Sequence, residues 1–483
     1  MEGNKKKKKS ISSFSILFII LIIIFIVSKF LDGQTFAPVV PKGAEEAVSA
    51  VVGADLPTLV MAPYNGFVDA IDISIFVLVL GGFLGLVTAT GALDAGIQRL
   101  VKNSKGKEVF LIVVLMTLFS IGGSTYGMAE ETVAFYAIVT SAMVAAGFDS
   151  LVAVGTICLG AGAGVLGSTV NPFATSVAVD ALRGAGYESD WGIILPIGVI
   201  LWLTTLVICI YFVVKYAKKV QRDKGSTLLS LQEQEDMERE FGSHTEKELE
   251  FTGKHKAVLL VFAFTFVVMV ISLIPWPDLG VTIFDGWTSV LTGTSFGEWY
   301  FAELAMWFLI MGIIIAIIGG MSESEIVDNF VAGSADILSV VLIIIVSRAV
   351  SVLMQNTHID ALILDRASNA LSGTNTIVFV IGSYALYLFL SFLIPSTSGL
   401  ATVSIPVMGA LAANLNMSPE VMIMIFCGGC GLINLVTPTS GVVMGGLQMA
   451  RVNYTTWVKF VTKPMVLIGV VNVVILCASM LIF

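Results

Sequence analysis

Apolar runs of roughly 20 residues, the length that crosses a bilayer as a helix, follow one another from Phe14 to the C-terminal Phe483. The runs are solidly apolar and do not alternate with polar residues, which excludes a β-barrel and predicts an all-α polytopic membrane protein. The pattern places spans at 14–31, 71–97 and 192–215, then at 257–274, 301–320, 337–355 and 464–483. Residues 32–70, with Pro38, Pro41, Pro57 and Pro63, read as a loop.

Four segments interrupt this pattern. Gly122 to Glu131 separates apolar runs 109–120 and 132–148, each too short for a comfortable span. Pro395 to Thr402 echoes it: placing Ser124-Thr125 on Ser396-Thr397 also places Gly127 on Gly399 and Ala129 on Ala401. Each is followed by a second polar break at a proline, Gly167 to Pro172 in one case and Asn434 to Ser440 in the other. The reading is two re-entrant hairpins, 109–148 and 376–415, each paired with a broken helix, 151–183 and 420–451.

Charge gives the orientation. Arg99, Lys102, Lys105 and Lys107 follow the second span, and Lys215, Lys218, Lys219, Arg222 and Lys224 follow 192–215. Both clusters mark the cytoplasmic side. Lys5 to Lys9 precede the first run, which ends in Lys29-Phe30-Leu31-Asp32 without a small-residue cleavage site, so it reads as an uncleaved span with a cytoplasmic N-terminus in the cell membrane. This topology leaves only Lys29, Lys42, Arg183, Arg348 and Arg366 of 26 Lys and Arg residues off the cytoplasmic face. It makes the hairpins enter from opposite faces, an inverted repeat of residues 1–216 and 257–483. Residues 217–256 between them, rich in Glu, read as a solvated linker. Composition agrees: 13% of the 483 residues are charged and 56% hydrophobic, with mean hydropathy +0.94. The net charge of −9 lies largely in loops.

Irregular backbone inside a membrane is tolerated where it is buried in protein or lines a cavity. The four breaks therefore predict a polar cavity. Its expected ligands are Ser124, Thr125 and Tyr126, Glu130 and Glu131, and Ser168, Thr169 and Asn171 from the first copy. From the second come Ser396, Thr397, Ser398, Asn434, Thr437, Thr439 and Ser440. Broken helices present N–H groups at one end, suited to carboxylates, and C=O groups at the other, suited to cations. Glu130 and Glu131 have no counterpart in the second copy, where Thr402 and Val403 align with them. They are placed to bind a cationic group, carry a proton or help hold Na⁺.

Arg348 lies about 11 residues into an apolar span, too deep for easy snorkelling. Asp360 or Asp365 in a structural ion pair is its expected partner, with a substrate carboxylate as the alternative. His358 near Asp360 is either a proton relay or a plain loop pair. Cys427-Gly-Gly-Cys430 lacks a second pair or a nearby His and reads as helix packing. Gly162-Ala-Gly164-Val-Leu-Gly167 matches GxGxxG but sits inside a membrane segment, so no dinucleotide site is expected. His244 and His255 belong to the linker. No Walker sequence, nucleophile elbow or nucleic-acid signature is present, so neither an enzyme nor an ATP-driven pump is expected, and no metal or cofactor.

At Gly123 to Glu131, Gly167 to Pro172, Pro395 to Gly399 and Thr437 to Gly441 the chain resembles the YfcC-like branch of the C4-dicarboxylate anaerobic carrier family, within the ion transporter superfamily. The resemblance covers nearly the whole chain. It implies an elevator-type transporter, in which hairpins and broken helices slide against a scaffold that dimerises. Related superfamily members carry a Na⁺- and carboxylate-binding Ser-Asn-Thr tip, where this chain has Ser124-Thr125-Tyr126 and Ser396-Thr397-Ser398, so coupling to Na⁺ or H⁺ stays open. The family name implies dicarboxylates, while some members resembling this branch exchange arginine for ornithine. A dicarboxylate site wants paired cations near the breaks; the motifs offer two glutamates instead, which favours a basic amino acid as substrate.

Overall fold

A computed structural model describes residues 13–40, 46–103, 107–242, 250–274, 276–277 and 280–483. The basic run Lys5 to Lys9 and His244 lie outside them. The chain begins with α1 (Ser13–Leu31), a short ribbon of β1 (Thr35–Val39) and β2 (Val48–Ala50), α2 (Leu56–Asp69), α3 (Ile71–Ala89) and α4 (Ala92–Asn103). The expected loop 32–70 thus holds an antiparallel ribbon and a helix. Asp55 caps α2 by accepting the Thr58 N–H, and Pro57 sits in the first turn, where its missing N–H costs nothing. The expected span 71–97 is broken at Gly91, whose φ of +70° favours glycine, and α4 starts after it at Ala92.

The first hairpin is α5 (Glu108–Tyr126), one 3-10 turn at Glu130–Thr132, and α6 (Val133–Ala145). A broken helix follows: α7 (Ser150–Val154), a π turn at Gly155–Leu159 and α8 (Gly160–Gly167), then after the gap a second π turn at Pro172–Ser176 and α9 (Val177–Gly184). The chain returns along α10 (Trp191–Arg222), and α11 (Leu231–Phe241) lies in the linker. Next come α12 (Gly253–Leu273), α13 (Phe301–Gly319), α14 (Glu323–Thr357) and α15 (Ile359–Leu371). The second hairpin is α16 (Thr376–Leu393) and α17 (Thr397–Asn414). The second broken helix is α18 (Pro419–Ile433) and α19 (Gly441–Met449), and α20 (Tyr454–Ile482) ends the chain.

Ten helices among the described residues are long and apolar enough to cross a membrane. Ten such helices in one chain make it a multi-pass membrane protein. α5 is among the ten, against the short arm expected there, because Ser124 to Tyr126 remain helical and the break begins only at Gly127.

The helices pack mainly in two groups, which meet along α14 and α19. One consists of α1 to α4 with α12, α13 and α14. Its seam is a close approach of backbones at Gly81, Gly85 and Gly333: a Cβ on Gly85 would collide with the Asn329 carbonyl oxygen, and one on Gly333 with that of Gly81. The other group holds both hairpins, both broken helices, α10 and α20. Here 192–215, now α10, packs on α8, α5 and α20. Gly198 lets α10 approach the Gly167 carbonyl, and a Cβ on Gly167 would strike Trp202. The glycines of the GxGxxG match are explained by the same crowding. Gly162 meets Leu435 and Gly164 meets the Ser120 carbonyl. Cys430 and Cys427 are buried, with Ser391 Oγ donating to Cys430 Sγ at 2.7 Å.

The linker is not merely solvated. Glu233 of α11 is buried and accepts from the Ser230 N–H (2.7 Å), the Asn453 N–H (2.7 Å) and Thr456 Oγ1 (3.1 Å). Arg451 pairs with Glu240 at 3.0 Å. Asp149 accepts from Tyr216 Oη and Thr227 Oγ1, each at 2.7 Å; burial raises its pKa and these donors oppose the rise. The linker is therefore docked on the ends of both broken helices. Hydrogen bonds to a charged group contribute about 1.5–3 kcal/mol each. Glu233→Ala is expected to release α11, seen as at least roughly tenfold faster tryptic cleavage at Arg239.

Candidate functional site

The two tips and two breaks meet at one cavity of about 160 Å³ between the helix groups. Gly127, Met128, Ala129 and Glu130 line it from the first hairpin, and Pro395 to Ser398 from the second. The first break contributes Asn171 and Phe173; the second contributes Asn434 and Ser440 to Val443. The opposite wall is Ile73 of α3, Tyr300 and Phe301 at the start of α13, and Ile344, Ser347 and Arg348 of α14.

Helix ends of both polarities face this space. Asn171, Ser396 and Ser440 are N-caps whose side chains accept from Phe173, Gly399 and Val443 N–H groups. Each lines the cavity, so three helix N-termini bring partial positive charge there. α5 and α18 end at the same place and bring carbonyl groups. Gly127 closes α5 with φ +78°, and a Cβ there would also collide with Asn171 Oδ1. Ser168 carries φ +29° in the first break, a strained geometry for a residue with a side chain.

Seven of the residues expected from sequence line the cavity: Glu130, Asn171, Ser396, Thr397, Ser398, Asn434 and Ser440. The others do different work. Ser124 and Thr169 join hydroxyls at 3.1 Å, and Thr169 N–H donates to the Ser124 carbonyl at 2.9 Å. Thr437 and Thr439 join hydroxyls at 2.7 Å, and Thr439 Oγ1 donates to the Phe392 carbonyl at 2.7 Å. On both sides a threonine of the break thus binds a carbonyl near the end of the hairpin's first arm. Thr125 bonds back to Ile121 of its own helix, and Ser168 Oγ donates to Val165. Tyr126 is buried away from the cavity. Glu131 is 2% exposed and accepts the Ala129 N–H at 3.1 Å, which holds the turn rather than facing the space.

The sequence echo of Ser124-Thr125 and Ser396-Thr397 does not survive as structural equivalence. The first pair lies in the last turn of α5 before its break, while Ser396 follows the break and caps α17. Pro395 and Gly127 interrupt their hairpins at different points relative to those hydroxyls.

Arg348 also lines the cavity, although it lies outside the four motifs. Its Nε lies 3.7 Å from Asp69 Oδ2, at the end of α2, and not beside Asp360 or Asp365. Those two belong to α15, which turns away at His358 (φ +58°); Asp365 accepts the Ala37 N–H, and Asp360 the Ala361 N–H. Burial raises the Asp360 pKa to about 6, and His358 and Asp360 share no hydrogen bond. The signal for Arg348 was in the sequence, as a lone deep cation; its partner came from a segment that reads as a loop. Aromatic side chains complete the wall: Phe173 stacks on Phe301 (5.5 Å, 15°) and lies 5.1 Å from Tyr300.

The model of the C4-dicarboxylate anaerobic carrier family matches residues 11–481. An uncharacterized protein of Haemophilus influenzae is 32% identical over 444 residues, covering 91% of this chain and 81% of the relative. YfcC of Escherichia coli K12, provisionally named a basic amino acid antiporter, is 27% identical, covering 91% of this chain and 87% of that one. The crystal structure of the Alcanivorax borkumensis YdaH transporter is similar in fold, with a TM-score of 0.50 at 13% identity, over 97% of this chain and 98% of that one.

Proposed function

The chain belongs to the C4-dicarboxylate anaerobic carrier family, a family of membrane transporters, and from that premise we propose that it is a secondary active transporter of a basic amino acid. One observation carries the choice of substrate: Glu130 and Arg348 line the same small cavity with hydroxyls, amides and helix ends around them. A zwitterion with a cationic side chain needs an anionic group for that side chain, a cation or helix N-terminus for its carboxylate, and carbonyl ends for its amine. The provisional name of YfcC points the same way.

The same premise supports an elevator mechanism in which the hairpin group moves against the α1–α4, α12–α14 group. The cavity lies between the two, and α19 meets α14 through Gly441 and Gly445, against Ile344 and Val340. The Lys and Arg asymmetry supports a cell-membrane protein with a cytoplasmic N-terminus and hairpins entering from opposite faces; a homodimer joined through the static group completes the proposal. Ser339→Cys with Gln448→Cys tests the motion. These side chains now share a 3.0 Å hydrogen bond between α14 and α19. Cross-linking them is expected to abolish transport and reduction to restore it; full transport by the cross-linked protein overturns the elevator.

A second reading is Na⁺- or H⁺-coupled transport of a dicarboxylate or another organic anion. Arg348 and three helix N-termini favour it. Thermal shifts of the purified protein decide, because a ligand stabilises the state it binds. Arginine and ornithine are expected to raise the melting temperature and succinate and fumarate to leave it unchanged; the reverse result replaces the first reading with the second.

A further inference from the structure

The cytoplasmic-side end of α10 carries charge that transport of a small substrate does not use. Lys215, Lys218, Lys219 and Arg222 are spaced i, i+3, i+4, i+7 and line one groove with Asp223 and Ser226. That spacing puts all four cations on one face across two helical turns. All four are exposed. Among the described residues none of them is in an ion pair; Lys215 touches the Tyr211 hydroxyl at 3.4 Å and ring at 5.4 Å. The one carboxylate in the groove, Asp223, is turned to its own loop, accepting the Gly225 N–H at 2.9 Å. Ser226 Oγ donates to the Lys219 and Asp223 carbonyls.

The same helix face continues as apolar surface. Leu203, Val207 and Tyr211, one turn apart from one another, are 49%, 66% and 56% exposed, and Lys215 is the next residue in that series. Moving along α10, the outward face therefore passes from aliphatic, to a tyrosine with an apolar ring and polar tip, to four cations. A lipid has this order of chemistry from acyl chain to headgroup, and tyrosine belongs at the boundary.

We propose that this face of α10 is a binding site for an anionic phospholipid, with the headgroup phosphate in the Lys215–Arg222 groove and an acyl chain along Tyr211, Val207 and Leu203. Positive charge near a membrane end also serves to orient a span, but orientation needs neither one helix face nor a groove. Four cations held within two turns do more than satisfy a count. Each Lys or Arg near an anionic surface strengthens attraction about fivefold. Removing two should therefore weaken binding by roughly tenfold or more after allowance for salt screening. α10 packs against α8, α5 and α20, so an occupied groove stabilises the hairpin group from outside the substrate cavity. The inference is independent of which substrate is carried.

The test uses the full chain purified in a neutral detergent, titrated with phosphatidylglycerol, with phosphatidylcholine, and with inorganic phosphate. The wild type is expected to gain thermal stability with phosphatidylglycerol, less as salt is raised, and to gain little with the other two. Lys218→Gln with Arg222→Gln is expected to shift the phosphatidylglycerol titration midpoint upward by about tenfold or more. Its melting temperature in phosphatidylcholine reports whether the variant folds as the wild type does. Val207→Glu, which leaves every cation in place, is expected to lose the lipid effect as well. An equal gain from phosphatidylglycerol in wild type and charge variant overturns the proposal. Stabilisation by inorganic phosphate alone, or retention of the effect in Val207→Glu, overturns the lipid as occupant.

Discussion

Glu130→Gln is expected to weaken binding of a basic amino acid on the order of 100-fold, while Glu131→Gln is expected to leave affinity within a few-fold and the melting temperature nearly unchanged. Glu130 lines the cavity; Glu131 is buried behind it and holds the Ala129 N–H. Removing one partner of a desolvated charge pair costs about 2–5 kcal/mol of binding energy, much of it from the charge left unpaired. A glutamine at Glu131 keeps a carbonyl oxygen that can accept from Ala129, so the turn retains its shape. The measurements are ligand titration by calorimetry and a melting curve for each variant. Unchanged arginine affinity in Glu130→Gln, with altered Na⁺ or pH dependence of transport, would assign this carboxylate to coupling rather than to the cargo.

Gly164→Ala should be the most damaging single-methyl change in the hairpin group. A Cβ at Gly164 would collide with the Ser120 carbonyl oxygen and lie 2.5 Å from the Ser124 N. Both are backbone atoms of α5, so no side chain can swing aside. The helices must separate, which costs about 1–3 kcal/mol or more by overpacking. The separation also pulls Ser124 from Thr169, the contact that ties the first tip to the first break. Loss of several degrees in melting temperature is expected together with loss of substrate binding. Gly184→Ala, where nothing lies within 4 Å of the added methyl, is the control and is expected to be neutral or slightly stabilising. Equal melting temperatures for the two variants would mean that α5 and α8 are not locked together as described.

Glu130 and Glu131 differ in a way that their shared motif does not encode. Adjacent residues in an irregular turn have no periodicity to tell which faces inward, and here a 3-10 turn decides it. The hydroxyls sort in the same manner. Polar breaks inside apolar runs were legible because hydrocarbon penalises unpaired backbone wherever it occurs. Whether each hydroxyl in a break satisfies a neighbouring carbonyl or faces the cavity depends on which helix lies across from it. Thr169 and Thr439 satisfy carbonyls of α5 and α16; Thr397 and Ser398 face the cavity.

Segment 32–70 concealed its helix for another reason. Its prolines mark turns, but Pro57 in the first turn of a helix is compatible with α2, and only packing of α2 on α14 makes that helix persist. Asp69 at its end then becomes the partner of Arg348, a pairing across 279 positions (348 − 69) that no local rule can reach.

By itself the sequence determined that this chain lives in a bilayer, with two hairpins and two interrupted helices, because apolar length and the penalty on exposed backbone are properties of single segments. Tertiary structure alone decided that α10 belongs with the hairpins, that Arg348 answers to Asp69, and that Glu130 rather than Glu131 faces the cavity. Those outcomes depend on which surfaces meet, and helices with equally apolar faces carry no address for one another until close packing of glycines and side chains chooses a partner.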